Sequence, residues 1–130
     1  MINYEGLHHV SLPVTDLEKA KAFYKDVLCL QEIKRPDFDF SGAWFQVGNQ
    51  HIHLIVFPAS EVLKKKHELN SKEAHFALRV TNYFEARDWL KKHNVTFTEN
   101  QTSRSGFAQI FCADPDGHLI ELHVEQKVLK

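Results

Sequence analysis

Four short strand-like segments constrain this chain more than any other feature. Each carries one side chain of a metal-ligand type between apolar neighbours, and the four side chains are His9, His53, His75 and Glu121. Successive side chains of a strand point to opposite faces of its sheet. We therefore predict that the ligand-type side chain occupies one face of each strand, while its aliphatic neighbours pack against helices on the other face.

The second half of the chain repeats the first. His75 lies 66 positions after His9, and the same offset relates Phe23 to Trp89. Each half predicts the order β-α-β-β-β, and two such halves can close a shared cavity that one half alone could not. We therefore predict a single α+β domain over residues 1–130. We place its two modules and the polar connector between them at about residues 6–58, 74–125 and 59–73.

Hydrophobic periodicity predicts one amphipathic helix in each module. The helices are expected at residues 17–28 and 83–93, each after a polar cap. Alternating segments predict short strands, with turns at Gly48-Asn49 and at residues 114–117. The strands are expected at residues 7–14, 31–34, 44–47, 50–57, 95–98, 107–112 and 119–124, with a further strand beginning at residue 75.

Composition limits the partners of this chain. Its formal net charge of −1 gives no electrostatic reason to expect a nucleic acid or an anionic membrane. No apolar run reaches the length of a transmembrane helix, and no signal-peptide pattern opens the chain. Cys29 and Cys112 do not make a disulfide framework, so we expect reduced thiols and a cytoplasmic location.

The donor set selects among metal ions. Three imidazoles and one carboxylate suit one divalent ion of Zn, Ni, Fe, Mn or Co, and suit Ca(II) poorly. Four protein ligands on one side of an octahedral ion leave two adjacent positions open. Those positions suit a small substrate with two neighbouring oxygens, or a substrate with dioxygen or water. A tetrahedral Zn(II) would instead form a closed structural site, and a metal-free network of histidines around the carboxylate is the other alternative.

Further side chains are predicted around these ligands. Glu121 is the best candidate for a catalytic base, and His51 and His123 flank or share the ligand face, where they would orient ligands or relay protons. Arg79 shares the face of His75 and would bind a substrate carboxylate or phosphonate, or else form a surface salt bridge. His8 is expected to point to the apolar side or to cap the start of its strand. The candidate pocket lining comprises His51, His123, Arg79, Trp44, Phe107 and Phe111.

Two motifs resemble those of the vicinal oxygen chelate superfamily, the group of glyoxalase I, bleomycin-resistance proteins and extradiol dioxygenases. They are HHVSLPVTDLEKA at residues 8–20 and DPDGHLIEL at residues 114–122. The resemblance covers about residues 6–125. It implies two βαβββ modules that form a cup-shaped, mainly antiparallel eight-stranded sheet with the helices outside. It also implies one bound divalent metal ion and a homodimer.

Individual positions distinguish the branches of that superfamily. Glyoxalase I has a glutamate where His53 stands, so the site carries one negative charge fewer here. His9, His75 and Glu121 map onto the two-histidine, one-carboxylate triad of extradiol dioxygenases. Ser11 matches a position of the fosfomycin-resistance thiol transferases, and this resemblance adds it to the candidate pocket.

The resemblance implies an enzyme that chelates the vicinal oxygens of a small substrate on one divalent metal ion. Lyase or isomerase chemistry is the leading expectation. An Fe(II)-dependent extradiol-type dioxygenase is one alternative. A resistance protein that binds an antibiotic or another small molecule without turnover is the other.

Overall fold

The computed structural model describes residues 1–57 and 69–129. Its contacts divide the chain into two compact units, residues 1–63 and 64–130. Most of the predicted connector, residues 59–68, lies outside the described residues. Over the described ranges, no helix is both long and apolar enough to cross a membrane.

Over residues 1–57, the first unit contains one α-helix and four strands. They are β1 (His9–Val14), α1 (Leu17–Ala22), β2 (Gln31–Ile33), β3 (Gly42–Val47) and β4 (Gln50–Val56). The strands pair in the order β1-β4-β3-β2, with β1 parallel to β4 and the other pairings antiparallel. The first and last strands of the unit are therefore neighbours in the sheet.

The second unit has the same topology, which confirms the repeat. Its elements are β5 (His75–Arg79), α2 (Tyr83–Lys92), β6 (Phe97–Asn100), β7 (Phe107–Ala113), β8 (Leu119–Glu125) and a 3₁₀ turn (Gln126–Val128). The strand order is β5-β8-β7-β6, and again only the pairing of the first and last strands is parallel. The eight predicted strands thus lie in two mainly antiparallel four-stranded sheets.

Equivalent caps begin the two helices, as the polar residues before them predict. The Asp16 carboxylate accepts a hydrogen bond from the Lys19 backbone N–H at 3.1 Å. The Asn82 side chain accepts one from the Glu85 backbone N–H, also at 3.1 Å. Each cap satisfies an N–H group that has no partner within the helix, which contributes about 1 kcal/mol.

The aliphatic face of each sheet lies under its helix. Helix α1 packs on β3 and β4, and α2 packs on β8. Buried residues on these faces include Val14, Leu54, Ile110, Ile120 and Val124. Cys112 belongs to the same core, where burial and the nearby Asp114 charge raise the pKa of its thiol to about 12. The predicted division between an aliphatic face and a ligand face is confirmed in both units.

The end of the first helix differs from the prediction. A continuous helix was expected to residue 28, but the α-helix ends at Ala22 and continues as a π-helical turn over Phe23–Val27. The backbone N–H of Leu28 donates to the Phe23 carbonyl at 2.9 Å, five residues back. Cys29 follows with a left-handed φ of 60° and ends the helical path.

Strand β6 begins two residues later than predicted, at Phe97 rather than Val95. The backbone N–H of Val95 donates to the Leu90 carbonyl at 3.0 Å, and Asn94 has a left-handed φ of 56°. Both features belong to a helix C-terminal cap, so Val95 closes α2 instead of pairing in the sheet.

Candidate metal centre

The second unit brings two of the predicted ligands together. His75 lies on β5 and Glu121 on the neighbouring β8, two positions further along the parallel register. His75 Nε2 is 3.2 Å from Glu121 Oε1. Glu121 is 4% exposed, so its carboxylate needs compensation by hydrogen bonds or a cation.

Two further contacts indicate which of these atoms donate hydrogen bonds and which accept them. His75 Nδ1 lies 2.7 Å from the Glu73 carbonyl oxygen, which can only accept, so Nδ1 carries a proton. The other carboxylate oxygen, Glu121 Oε2, accepts a hydrogen bond from His123 Nδ1 at 2.6 Å. In neutral His75, the Nε2 lone pair therefore faces Glu121 Oε1.

Either a proton or a metal ion can join these two atoms. A proton would make a hydrogen-bonded ion pair, in which the His75 side chain is 24% exposed, and a divalent ion would use both atoms as ligands. Two donors bonded at about 2.1 Å, with an angle of about 90–110° at the ion, lie about 3.0–3.4 Å apart. The observed 3.2 Å falls within that range. A backbone carbonyl that holds the second histidine nitrogen is also typical of a metal-bound imidazole.

The first unit brings the other two predicted ligands together. The rings of His9 on β1 and His53 on β4 are stacked, with centroids 4.2 Å apart and planes 19° apart. His8 Nδ1 is 2.8 Å from His9 Nδ1, and His51 Nδ1 is 3.3 Å from His53 Nε2. Four imidazoles thus form one cluster on the ligand face of this sheet.

His53 is neutral at physiological pH. It is 7% exposed, and burial lowers its pKa from 6.5 to about 4, with smaller contributions from its histidine neighbours and Arg35. A neutral imidazole keeps the lone pair that a metal ion needs, so no proton has to be displaced at pH 7.

The same pKa shift predicts that the metal-free protein loses stability in acid. Between pH 6.5 and 4 the unfolded chain binds a proton at His53 and the folded chain does not, so the free energy of unfolding falls as the pH falls. We expect His53 to account for a loss of about 2 kcal/mol between pH 7.5 and pH 5 in urea titrations. His53→Asn should remove this part of the pH dependence, and His93→Asn, a half-buried control at the end of α2, should not. An unchanged pH dependence in His53→Asn would contradict the assignment.

Over residues 1–57 and 69–129, no single group of three or more histidine, cysteine or acidic side chains is arranged to hold a metal ion. The predicted quartet is instead present as two pairs, one in each unit. That both pairs bind one ion stays a prediction.

Aromatic candidates contact the ligands directly. The Trp44 indole stacks on His53 with centroids 4.0 Å apart, and Phe111 meets His75 edge-on at 5.5 Å. Phe107 stacks on His123 at 4.3 Å. These contacts place all three aromatic side chains on the ligand faces, where we predicted a pocket lining.

The two polar candidates have different surroundings. Ser11 pairs with His53 in the register of β1 and β4. Arg79 lies 5.3 Å above the Phe107 ring and pairs with Glu125, its Nη1 3.4 Å from the carboxylate. Its guanidinium thus makes the salt bridge that was one of the two predicted roles.

Sequence reasoning missed two contributors. His8 precedes β1, so strand alternation does not govern it, and its ring lies 5.2 Å from that of His51 rather than on the apolar side. The Glu73 carbonyl that holds His75 has no signal in the sequence, because any residue could supply a backbone carbonyl. The signal for His8 was its position beside a predicted ligand.

Comparison with known proteins identifies relatives over nearly the whole chain. The chain is 29% identical to Glyoxylase I 4 of Arabidopsis thaliana over 93% of its own length and 71% of the relative's. It is 27% identical to metallothiol transferase FosB of Staphylococcus saprophyticus, over 92% of this chain and 76% of that one. It is 29% identical to a lactoylglutathione lyase of Escherichia coli, over 93% of both chains.

The fold has close counterparts among solved structures. A glyoxalase family protein from Bacillus anthracis superposes with a TM-score of 0.78 at 28% identity, over 96% of this chain and 99% of that one. Residues 6–122 match the family description Glyoxalase/Bleomycin resistance protein/Dioxygenase superfamily. The match covers both units and all four predicted ligands, and the chain belongs to this superfamily.

Proposed function

We propose that this protein is a metal-dependent enzyme that chelates two neighbouring oxygens of a small substrate and carries out lyase or isomerase chemistry. His9, His53, His75 and Glu121 are the proposed ligands of one divalent ion. The observation that carries the proposal is the approach of His75 Nε2 to Glu121 Oε1 at 3.2 Å, a separation that fits two ligands of one ion.

A divalent ion at this place would supply Lewis-acid stabilisation of negative charge on substrate oxygens. The residues of the chain would handle the proton. Glu121 is the proposed base, and His123 holds its Oε2 atom at 2.6 Å, which leaves Oε1 on the side of His75. Phe107 stacks on His123 and restricts the rotation of that ring.

Two arguments favour lyase or isomerase chemistry. Relatives named Glyoxylase I and lactoylglutathione lyase match over at least nine-tenths of this chain. Glu121 supplies a carboxylate beside the proposed ion, and such chemistry needs a base at this place to take a proton from the substrate. A homodimer in the cytoplasm belongs to the same proposal, as the resemblance and the free thiols of Cys29 and Cys112 suggest.

One observation favours a second candidate, an Fe(II)-dependent dioxygenase. His53 Nε2 lies 3.3 Å from His51 Nδ1, a contact that would engage this nitrogen with a neighbour rather than an ion. His9, His75 and Glu121 would then form a two-histidine, one-carboxylate site with open positions for substrate and dioxygen.

Elemental analysis of the protein, purified with and without air, tests both candidates. Nickel, cobalt, manganese or labile zinc that is lost in His53→Ala would support the four-ligand enzyme. Iron held only without air and retained by His53→Ala would support the dioxygenase. His93→Ala, which removes a helix-terminal histidine, should keep the metal in either case. No metal under any loading condition would contradict both candidates and favour a binding protein.

A further inference from the structure

Trp44 and His9 enclose the ring of His53 from two sides. Strand β4 lies between β1 and β3, so His9 and Trp44 reach His53 from opposite neighbours. The indole is 4.0 Å from the imidazole with planes 5° apart, and His9 is 4.2 Å away with planes 19° apart. Trp44 is the cross-strand partner of His53 in the register of β3 and β4.

A stack of this kind fixes the plane of the central ring. The lone pair of an imidazole nitrogen lies in the ring plane, so the plane decides where a bonded ion can sit. Rotation of His53 about its side-chain bonds would break contact with the indole on one side and the second imidazole on the other.

The position of Trp44 argues against a role only in core packing. The core of this unit lies on the other face of the sheet, where the adjacent Phe45 is fully buried. Trp44 is only partly buried, on the ligand face. In the second unit Phe111 is likewise the cross-strand partner of the last-strand ligand, Glu121. The repeat thus sets an aromatic side chain beside the last-strand ligand of each unit.

We propose that Trp44 is a positioning residue of the metal site, which holds the His53 ring in the orientation that binds the ion. The proposal rests on the metal site proposed above. It predicts that metal affinity depends on a flat aromatic side chain at position 44, even though that side chain donates no atom to the ion.

Zinc affinity, measured by competition with a chromophoric chelator, provides the first test. Trp44→Leu keeps an apolar side chain but removes the flat surface, and we expect it to weaken zinc binding about tenfold or more. Trp44→Phe restores a ring and should bind within about threefold of wild type. Trp89→Leu is the matched control, because the Trp89 ring contacts that of His93, which is not a proposed ligand, with the two planes 36° apart.

Tryptophan emission provides a test that keeps Trp44 in place. The chain has two tryptophans, so Trp89→Phe leaves Trp44 as the single emitter. Bound Ni(II) or Co(II), which have open d shells, should quench most of this emission, whereas closed-shell Zn(II) should not. His53→Ala in the same background should abolish the quenching. In Trp44→Phe the emission of Trp89, on the helix side of its own sheet, should fall much less.

The outcomes separate this proposal from the one on which it rests. Wild-type protein that binds no metal overturns the metal site itself. Wild-type protein that binds metal, beside a folded Trp44→Leu variant of equal affinity, overturns only the positioning role. Saturation of Trp89→Phe with Ni(II) without loss of emission also overturns that role, and this result does not depend on whether Trp44→Leu folds.

Discussion

Replacement of Glu121 by glutamine is expected to weaken metal binding by a factor of about 100 or more without loss of stability in the metal-free protein. The substitution keeps the shape of the side chain and removes its charge. An amide oxygen is a much weaker ligand for a divalent transition-metal ion than a carboxylate oxygen, which explains the expected loss of affinity.

The stability of the metal-free variant follows from the neighbours of Glu121. A glutamine can accept the hydrogen bond of His123 through its oxygen and donate one to His75 Nε2 through its nitrogen. The contact at 3.2 Å between position 121 and His75 Nε2 would then be a hydrogen bond between neutral groups. We therefore expect Glu121→Gln without metal to unfold at the same urea concentration as the wild type, or at a higher one.

Metal affinity and urea unfolding of the same preparation check both parts. Glu125→Gln is the matched control, because Glu125 lies on the same strand, is more exposed, and pairs with Arg79 and Lys127. It should leave metal affinity unchanged. A marked loss of stability in metal-free Glu121→Gln would indicate instead a proton-bridged ion pair between His75 and Glu121, and so a polar network without a metal role.

A methyl group on Gly42 is expected to destabilise the first unit by about 3 kcal/mol or more. A Cβ atom built at this position lies 2.2 Å from the Leu54 carbonyl oxygen, a backbone atom in the neighbouring strand. It would also lie 3.1 Å from the Arg35 guanidinium. The backbone of β3 would have to move away from β4, at the end of the strand that carries Trp44.

Urea unfolding of Gly42→Ala measures this effect, and Gly48→Ala controls for the general consequence of replacing a glycine. Gly48 has a left-handed φ of 56° with no atom within 4 Å of the added methyl group. Conformational strain alone should cost that variant about 1–2 kcal/mol. Equal destabilisation by the two substitutions would show that close approach of the strands does not determine the choice of glycine at position 42.

The repeat, the helix caps and the ligand faces could be predicted because each depends on local spacing. Alternation assigned His9, His53, His75 and Glu121 to one face of their strands, and the register then brought them together in pairs. Their partners across the sheet could not be predicted, since the order of strands decides which side chains are neighbours. The stack of Trp44 on His53 is such a contact, because the sequence predicted Trp44 as a pocket-lining residue of the strand at 44–47 but not its partner.

Contacts made by residues outside the predicted helices and strands could not be predicted either, for another reason. The Glu73 carbonyl sets the tautomer of His75 through a bend in the chain just before β5, and no residue type marks it. The same holds for the loop before β3, where the Arg35 guanidinium lies over the Phe38 and Phe40 rings at 4.8 and 4.9 Å. The sequence predicted a strand on each side of this segment, at residues 31–34 and 44–47, and no element within it.

The pairing of first and last strands has a consequence for folding. The two proposed ligands of the second unit are 46 residues apart in the chain, and they meet only when β5 and β8 are paired. The entropy cost of closing a loop of this length has to be met before the pair exists. A partly folded unit therefore offers an ion isolated histidines but no preformed pair. A metal ion would therefore bind and stabilise almost only the native state, and a bound ion should slow the unfolding of the complete unit.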